Sequence, residues 1–165
     1  MSEMLSARKL GRWKTSYEIA VDGSPIATWK ASSWKHGGTL ELDGRDYDVR
    51  ANMWGNKYGI AAADGSPVAS AEHVGRKRWS VESDGQTYDF QRASMWRREE
   101  LLMRAGEQVG SITRPSMWRS DTQAELPGLP LPVQVFILVV VLSMWDSSDA
   151  AGAASATGAA GATAV

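Results

Sequence analysis

A short basic string, HVGRKRWSV, is the part of the sequence best suited to binding chemistry. It places His73, Arg76, Lys77 and Arg78 at one predicted turn between two strands. Arginine forks chelate phosphate oxygens, and tryptophan rings such as that of Trp79 favour the wet edge of a bilayer. The string therefore predicts a site for an anionic, phosphate-bearing group.

Two further sets of cations belong to the same prediction. Arg97 and Arg98 follow at the end of the same set of strands. Because equivalent ends of neighbouring meander strands lie close together, we expect them to join the basic string in one patch. Lys30, Lys35 and His36 occupy the related turn of the preceding set. The alternative is that the turn is charged only because surface charge keeps a protein soluble.

The sequence offers little for catalysis or metal binding. Of its two histidines, His36 stands between Lys35 and Gly37, and His73 stands two residues before Gly75. It contains no HExxH, GxSxG or phosphate-loop motif, and no His/Asp cluster with metal-ligand spacing. Four of the ten aspartates belong to Asp-Gly turns, which gives those four a structural role. We therefore expect a protein that is not an enzyme and that carries no cofactor and no metal.

Tryptophans recur at related positions along the chain. Such rings could stack on nucleic acid or sugar. Bulky rings at equivalent positions of a repeated β fold more often fill one core layer or cover the ends of the fold. We therefore expect core packing, and exposure of several rings on one face would indicate a binding platform instead. The residues concerned are Trp29, Trp34, Trp54, Trp79, Trp96 and Trp118.

Charge and cysteine content narrow the class of partner. The chain has 18 Lys and Arg against 19 Asp and Glu, a net charge of −1, which is far from the basic excess of a nucleic-acid binder. The bases all lie between Arg8 and Arg119, and only acids follow. With no cysteine there is no disulfide, and the first residues lack the apolar run of a secretory signal. These features favour a cytoplasmic location for the protein and exclude nucleic acid as its partner.

The strands that must position the basic and aromatic residues belong to a sequence repeat of about 41 residues. Residues 17–54 reappear as residues 58–96, and residues 99–128 form a partial third copy. Within each copy apolar and polar residues alternate with period two, and Asp-Gly pairs separate the runs, which is typical of antiparallel strands joined by hairpin turns. Four strands in each full copy, with the partial copy and one more strand near the start, give eleven or twelve.

The run LPVQVFILVVVLSMWD is the most apolar part of the chain. As a helix from Leu131 to Trp145 it is only about 22 Å long, against roughly 30 Å of bilayer hydrocarbon, and no bases flank it. Its β-branched residues suit a strand, but the run is long for one, and Pro130 and Pro132 suit a helix start. We therefore expect a buried helix over residues 132–145 and no transmembrane span.

A helix that is apolar on every side must be surrounded on every side. About twelve antiparallel strands closed into a β-barrel can do this, so the sequence predicts a mainly β single domain over residues 4–149 with the helix inside it. The alternative is a β-trefoil, which also has three four-stranded repeats of this length but no place for an internal apolar helix. The Ala/Gly-rich residues 150–165 predict a disordered tail.

The strand copies from Tyr17 to Arg114, followed by RSDTQAELPGLPLPVQVFILVVVLSMWD, resemble the tubby C-terminal-like superfamily, in particular its LURP-one-related and phospholipid scramblase branch. The resemblance implies a twelve-stranded barrel around a hydrophobic C-terminal helix that ends in an aspartate, here Asp146. Tubby-like relatives include phosphoinositide-binding domains, so the resemblance also implies an anionic lipid headgroup as ligand. The Asp-rich calcium loop described for scramblases has no counterpart here.

These observations predict a cytoplasmic, non-enzymatic binding module that is peripheral to a membrane. We expect it to bind anionic phospholipid headgroups reversibly. The residues expected to bind them are His73, Arg76, Lys77, Arg78, Arg97 and Arg98. The alternative is a protein-interaction or structural domain with a protein partner and no small ligand.

Overall fold

The computed structural model describes residues 3–11, 16–32, 36–94, 98–114 and 121–163, with side chains as far as residue 149. Twelve strands are followed by one helix. The strands are β1 Met4–Lys9, β2 Ser16–Val21, β3 Ser24–Ala31, β4 Gly37–Leu42, β5 Arg45–Ala51, β6 Lys57–Ala62, β7 Pro67–Glu72, β8 Arg78–Ser83, β9 Gln86–Arg92, β10 Glu99–Arg104, β11 Glu107–Thr113 and β12 Thr122–Glu125. The helix, α1, is Leu131–Thr163.

The strands form one closed antiparallel barrel. Each strand pairs with its neighbours in sequence, and β1 pairs with β12 to close the sheet. Strands β2–β5 lie in the first sequence copy, β6–β9 in the second and β10–β12 in the third. The prediction of a twelve-stranded barrel around a C-terminal helix is confirmed, and the β-trefoil alternative is not needed.

Local sequence explains both the strands and their tight turns. On β2, Tyr17 and Ile19 face the interior at 1% and 0% exposure, and Glu18 lies between them on the outer face. At the next turn, Asp22 and Gly23 both have positive φ, of 48° and 87°. That is the pattern of a type I′ turn, whose twist matches the twist of the strands it joins. Asp43–Gly44 and Asp84–Gly85 repeat it.

Helix α1 fills the barrel. Eight-stranded barrels are filled by their own side chains, whereas twelve strands leave a lumen wide enough for a helix about 10–12 Å across. Strands β1 to β11 have six to eight residues. Tilted as barrel strands are, strands of this length give a barrel about 15–20 Å tall, close to the ~20 Å of the apolar helical segment. The buried apolar residues of α1 lie on all its sides, and they are Val133, Val135 to Leu142, Met144 and Trp145.

The helix is longer than the sequence predicted. It begins at Leu131 and continues through the alanine-rich stretch to Thr163, where composition led us to expect irregular chain. A helix already formed inside the barrel propagates with little cost into alanine, the best helix former. Within the part of the chain that the structure describes, Leu131–Asp149 is the one helical segment apolar and long enough to cross a membrane, and 67% of its most apolar window is buried in the barrel.

The barrel has two different ends, because strands that alternate in direction place alternate connections at opposite ends. The tight-turn end carries the connections that follow β2, β4, β6, β8 and β10, which contain Asp22, Asp43, Asp64, Asp84 and Gly106. The loop end carries the connections that follow β1, β3, β5, β7, β9 and β11. Helix α1 starts at the tight-turn end, after β12, and therefore leaves the barrel at the loop end.

Candidate functional site

The predicted basic string forms the connection between β7 and β8 at the loop end. We call His73, Arg76, Lys77 and Arg78 the basic turn, and all four side chains are exposed. Val74 is 4% exposed and anchors the turn in the core, while His73 has a positive φ of 59°. The turn therefore holds three consecutive cations in solvent on a fixed backbone.

A fifth polar residue, Arg92 on β9, supports this turn. Its side-chain Nη2 donates to the carbonyl of Gly75 at 2.9 Å, and its backbone N–H donates to the carbonyl of Lys77 at 2.8 Å. In the described part of the chain no acidic side chain forms an ion pair with Arg76, Lys77 or Arg78. The charges of these three residues are thus available to an anion, and Arg92 adds a positive charge behind them.

The other predicted cations fall in different places. Arg97 and Lys35 lie outside the described residues. Lys30 and His36 are exposed at the loop end, where β3 ends and β4 begins, and the β3–β4 connection is next to the β5–β6 connection. Arg98 also reaches the loop end, but its guanidinium pairs with the carboxylate of Asp149 on α1. Its charge is therefore balanced by the helix and does not add to the basic turn.

The helix exit is fastened to the barrel wall by polar contacts. The hydroxyl of Tyr17 donates to both carboxylate oxygens of Asp146, at 2.9 and 3.0 Å. Arg114 lies 5.4 Å from the ring centroid of Trp145, and its Nη1 is 3.6 Å from Asp149. Burial, and then the neighbouring Asp146, raise the pKa of Tyr17 well above its usual range. Burial also raises the pKa of Asp146, which the hydrogen bond from Tyr17 partly offsets.

We expect Tyr17→Phe to lower the free energy of unfolding by about 1.5–3 kcal/mol near neutral pH, because the buried carboxylate of Asp146 loses its donor. The pKa of Asp146 is already raised and should rise further in the variant. The loss should therefore shrink in acid, where the carboxyl is protonated. Urea unfolding at neutral and acid pH measures both values. Tyr47→Phe on β5 is the control, and equal losses in the two variants would show that this contact contributes nothing.

The tryptophan prediction is confirmed in part. Trp29 and Trp79 are core residues at 1% and 2% exposure, and Trp79 stacks on Phe90 with ring centroids 4.4 Å apart. It is wrong for Trp54, which is 81% exposed on the β5–β6 connection. Trp34, Trp96 and Trp118 lie outside the described residues. The exposed ring belongs to a connection and not to a strand, so strand periodicity does not bury it.

The sequence did not single out Glu100, which faces the barrel interior on β10 at 1% exposure. Burial raises its pKa to about 7, and the indole of Trp79 and the charge of Arg92 partly offset this. The indole N–H faces the carboxyl outside hydrogen-bond geometry, so Trp79 Nε1 and Glu100 Oε2 both lack a partner. The signal was present in the sequence, since Glu100 shares a strand face with the core residue Leu102.

The loop end offers side chains suited to non-covalent binding. Among the described residues, no three His, Asp or Glu side chains come together as metal ligands. The loop end instead displays unpaired guanidinium and ammonium groups beside an exposed indole. Cationic donors next to an amphipathic ring match the chemistry of an anionic, partly apolar surface.

Comparisons with family models, with curated proteins and with solved structures gave no match. The tubby-like resemblance therefore rests on the sequence repeat and the apolar helix described above. A fold on its own does not identify a ligand. Any statement about function has to be argued from the loop end itself.

Proposed function

We propose that this chain is a non-enzymatic module that binds anionic phospholipid headgroups at a membrane surface through its basic turn. The observation that carries the proposal is the run of three exposed cations, Arg76, Lys77 and Arg78, free of ion pairs within the described chain. Headgroup phosphates and carboxylates accept hydrogen bonds from such groups, and each base near an anionic surface contributes about 1 kcal/mol.

Overall charge cannot drive this binding, because the chain has a net charge of −1. What matters is how the charges are distributed. The basic turn lies at the loop end, whereas Asp22, Asp43, Asp64 and Asp84 all lie at the tight-turn end. An anionic surface attracts one end and repels the other, so electrostatics alone orients the barrel.

The tubby-like resemblance supports the same proposal. It implied a barrel around an apolar helix, and it implies phosphoinositide-type headgroups as ligands. We accordingly place the protein in the cytoplasm, bound reversibly to the inner face of a membrane. The barrel holds the apolar helix inside, so membrane contact in this proposal is made by surface residues and not by a transmembrane span.

Co-sedimentation with vesicles tests the proposal. We expect binding to phosphatidylcholine vesicles that contain phosphatidylserine and little binding to phosphatidylcholine alone. The triple variant Arg76→Ala/Lys77→Ala/Arg78→Ala should bind about 100-fold more weakly, since three bases at about 1 kcal/mol each are lost. Binding of the unmodified protein should also fall as salt is raised, because salt screens exposed charges.

The matched control removes two exposed cations from the opposite end, with Arg45→Ala and Arg104→Ala together. This variant should bind as the unmodified protein does. If vesicle binding changes neither with salt nor in the triple variant, the basic turn is not the lipid site. The same holds if the control variant binds as weakly as the triple variant does.

A second candidate is a protein-interaction domain with no small ligand. The observation that favours it is the exposure of Trp54, at 81%, since exposed tryptophan and arginine are typical of binding hot spots. In that case the vesicle assay shows no binding at any salt concentration.

A further inference from the structure

Two large apolar side chains stand in solvent at the loop end. Met53 is 74% exposed and Trp54 is 81% exposed, and we call this pair the aromatic tip. Elsewhere in the described chain the exposed large apolar side chain is Met4, at 37%. Apolar rings are normally buried when a fold offers a core, as Trp29 and Trp79 are here, so this exposure needs a reason.

The aromatic tip is held out by a structured turn. The side-chain oxygen of Asn52 accepts from the backbone N–H of Asn56 at 3.0 Å and of Lys57 at 3.2 Å. The Asn52 carbonyl accepts from the N–H of Gly55 at 3.1 Å, and Gly55 has the positive φ, 69°, that suits glycine. The tip residues between these anchors are presented on a fixed backbone, so little ordering entropy is lost when they bind.

The β5–β6 connection, which carries the aromatic tip, is hydrogen-bonded to the β7–β8 connection, which carries the basic turn. The N–H of Val74 in the basic turn donates to the carbonyl of Asn56 at 3.0 Å. Lys57, at the start of β6, is exposed beside them. Apolar and cationic side chains therefore share one surface, which is the combination found in elements that lie in the bilayer interface.

The surroundings of this surface favour a membrane over a protein groove as its occupant. The two acids at the helix exit, Asp146 and Asp149, are engaged by Tyr17, Arg98 and Arg114 and do not oppose an anionic partner. The sequence after residue 149, which continues from the same end, contains no charged side chain. The tight-turn end, in contrast, carries an aspartate in most of its turns.

We infer that the barrel docks on an anionic bilayer through the rim of its loop end that carries the basic turn and the aromatic tip, with Trp54 and Met53 inserted into the interfacial layer. This inference rests on the proposed function and adds the depth and orientation of binding. The basic turn supplies the long-range attraction, and the aromatic tip supplies a contribution that salt does not screen.

The two contributions can be separated by substitution. Trp54→Ala should weaken vesicle binding by about 10-fold, as expected for an indole that leaves water, and by the same factor at low and high salt. The basic triple variant should instead reduce the salt dependence itself. Met4→Ala, which removes an exposed apolar side chain from the tight-turn end, is the matched control and should leave binding unchanged.

Insertion can be observed directly because the chain has no cysteine. Met53→Cys in the aromatic tip and Gln86→Cys beside the Asp84–Gly85 turn each provide one labelling site for an environment-sensitive fluorophore. With vesicles containing phosphatidylserine, we expect a blue shift and quenching by nitroxide-bearing lipid for the label at position 53. The label at position 86 should stay aqueous.

Each other outcome is decisive. If vesicles bind but the label at position 53 stays aqueous, insertion is wrong while the proposed function stands. If the label at position 86 responds instead, the orientation is wrong. If the unlabelled protein binds no vesicles, both the proposed function and this inference fail. A blue shift at position 53 that grows with protein concentration and without vesicles would assign the aromatic tip to self-association and would overturn the inference.

Discussion

Val140→Asp is expected to prevent folding. Val140 is fully buried near the middle of the apolar segment of α1, and the helix is surrounded there on every side. An unpaired carboxylate at this position costs about 5 kcal/mol or more of folding free energy, and holding the carboxyl protonated costs a similar amount. This cost equals the whole free energy of unfolding of many domains. The variant should show no cooperative urea transition and should aggregate on expression.

Two milder substitutions calibrate this result. Val140→Thr keeps the shape and buries one hydroxyl, so it should cost about 1–3 kcal/mol and remain cooperative. Ser148→Asp adds the same charge to an exposed position of the same helix and should cost less than about 1 kcal/mol. If Val140→Asp folds as well as Ser148→Asp does, the helix is not the core of the barrel.

Removal of the helix tests the same point from another side. A chain that ends before Pro130 should aggregate or lose its cooperative unfolding, because the apolar lumen of the barrel is then open to water. A helix that served only as a membrane anchor would have the opposite effect. The shortened domain would become more soluble and would stay folded.

The barrel could be predicted from sequence because its signals are local. Asp22–Gly23, Asp43–Gly44 and Asp84–Gly85 mark turns in which both residues have positive φ, and the alternation of apolar and polar residues between the turns marks the inward residues. The apolar segment after Pro130 then had to be enclosed, which required a closed sheet. The extension of α1 to Thr163 was not predicted, because the Gly, Ser and Thr residues among the alanines make this stretch a poor helix on its own. A helix that already exists inside the barrel can propagate through them.

The candidate site was predictable only where its residues are adjacent in sequence. Arg76, Lys77 and Arg78 are consecutive, so one turn exposes them together. The pairing of Arg98 with Asp149 joins residues far apart in the chain, and only the path of α1 through the barrel brings them together. The position of Trp54 beside the basic turn depends on the bond between Val74 and Asn56, which no sequence pattern records.

The buried carboxyl of Glu100 predicts an unusual pH dependence of stability. Its pKa in the folded protein is about 7, above the usual 4.5. In the interval between these values the folded state holds a proton that the unfolded state releases, so stability falls as pH rises. The contribution is fully present below about pH 4.5 and is lost by about pH 7, and its size is roughly 3 kcal/mol.

Glu100→Gln removes this titration and keeps the shape of the side chain. Above pH 7 we expect the variant to be more stable than the unmodified protein by up to roughly 3 kcal/mol, and below about pH 4.5 the two should converge. The difference between their urea unfolding curves isolates Glu100, since the raised pKa of Asp146 acts on both proteins alike. Glu107→Gln, in an exposed turn, controls for the loss of one negative charge. A difference between Glu100→Gln and the unmodified protein that does not change with pH would mean that the carboxyl reaches solvent and is not held inside the barrel.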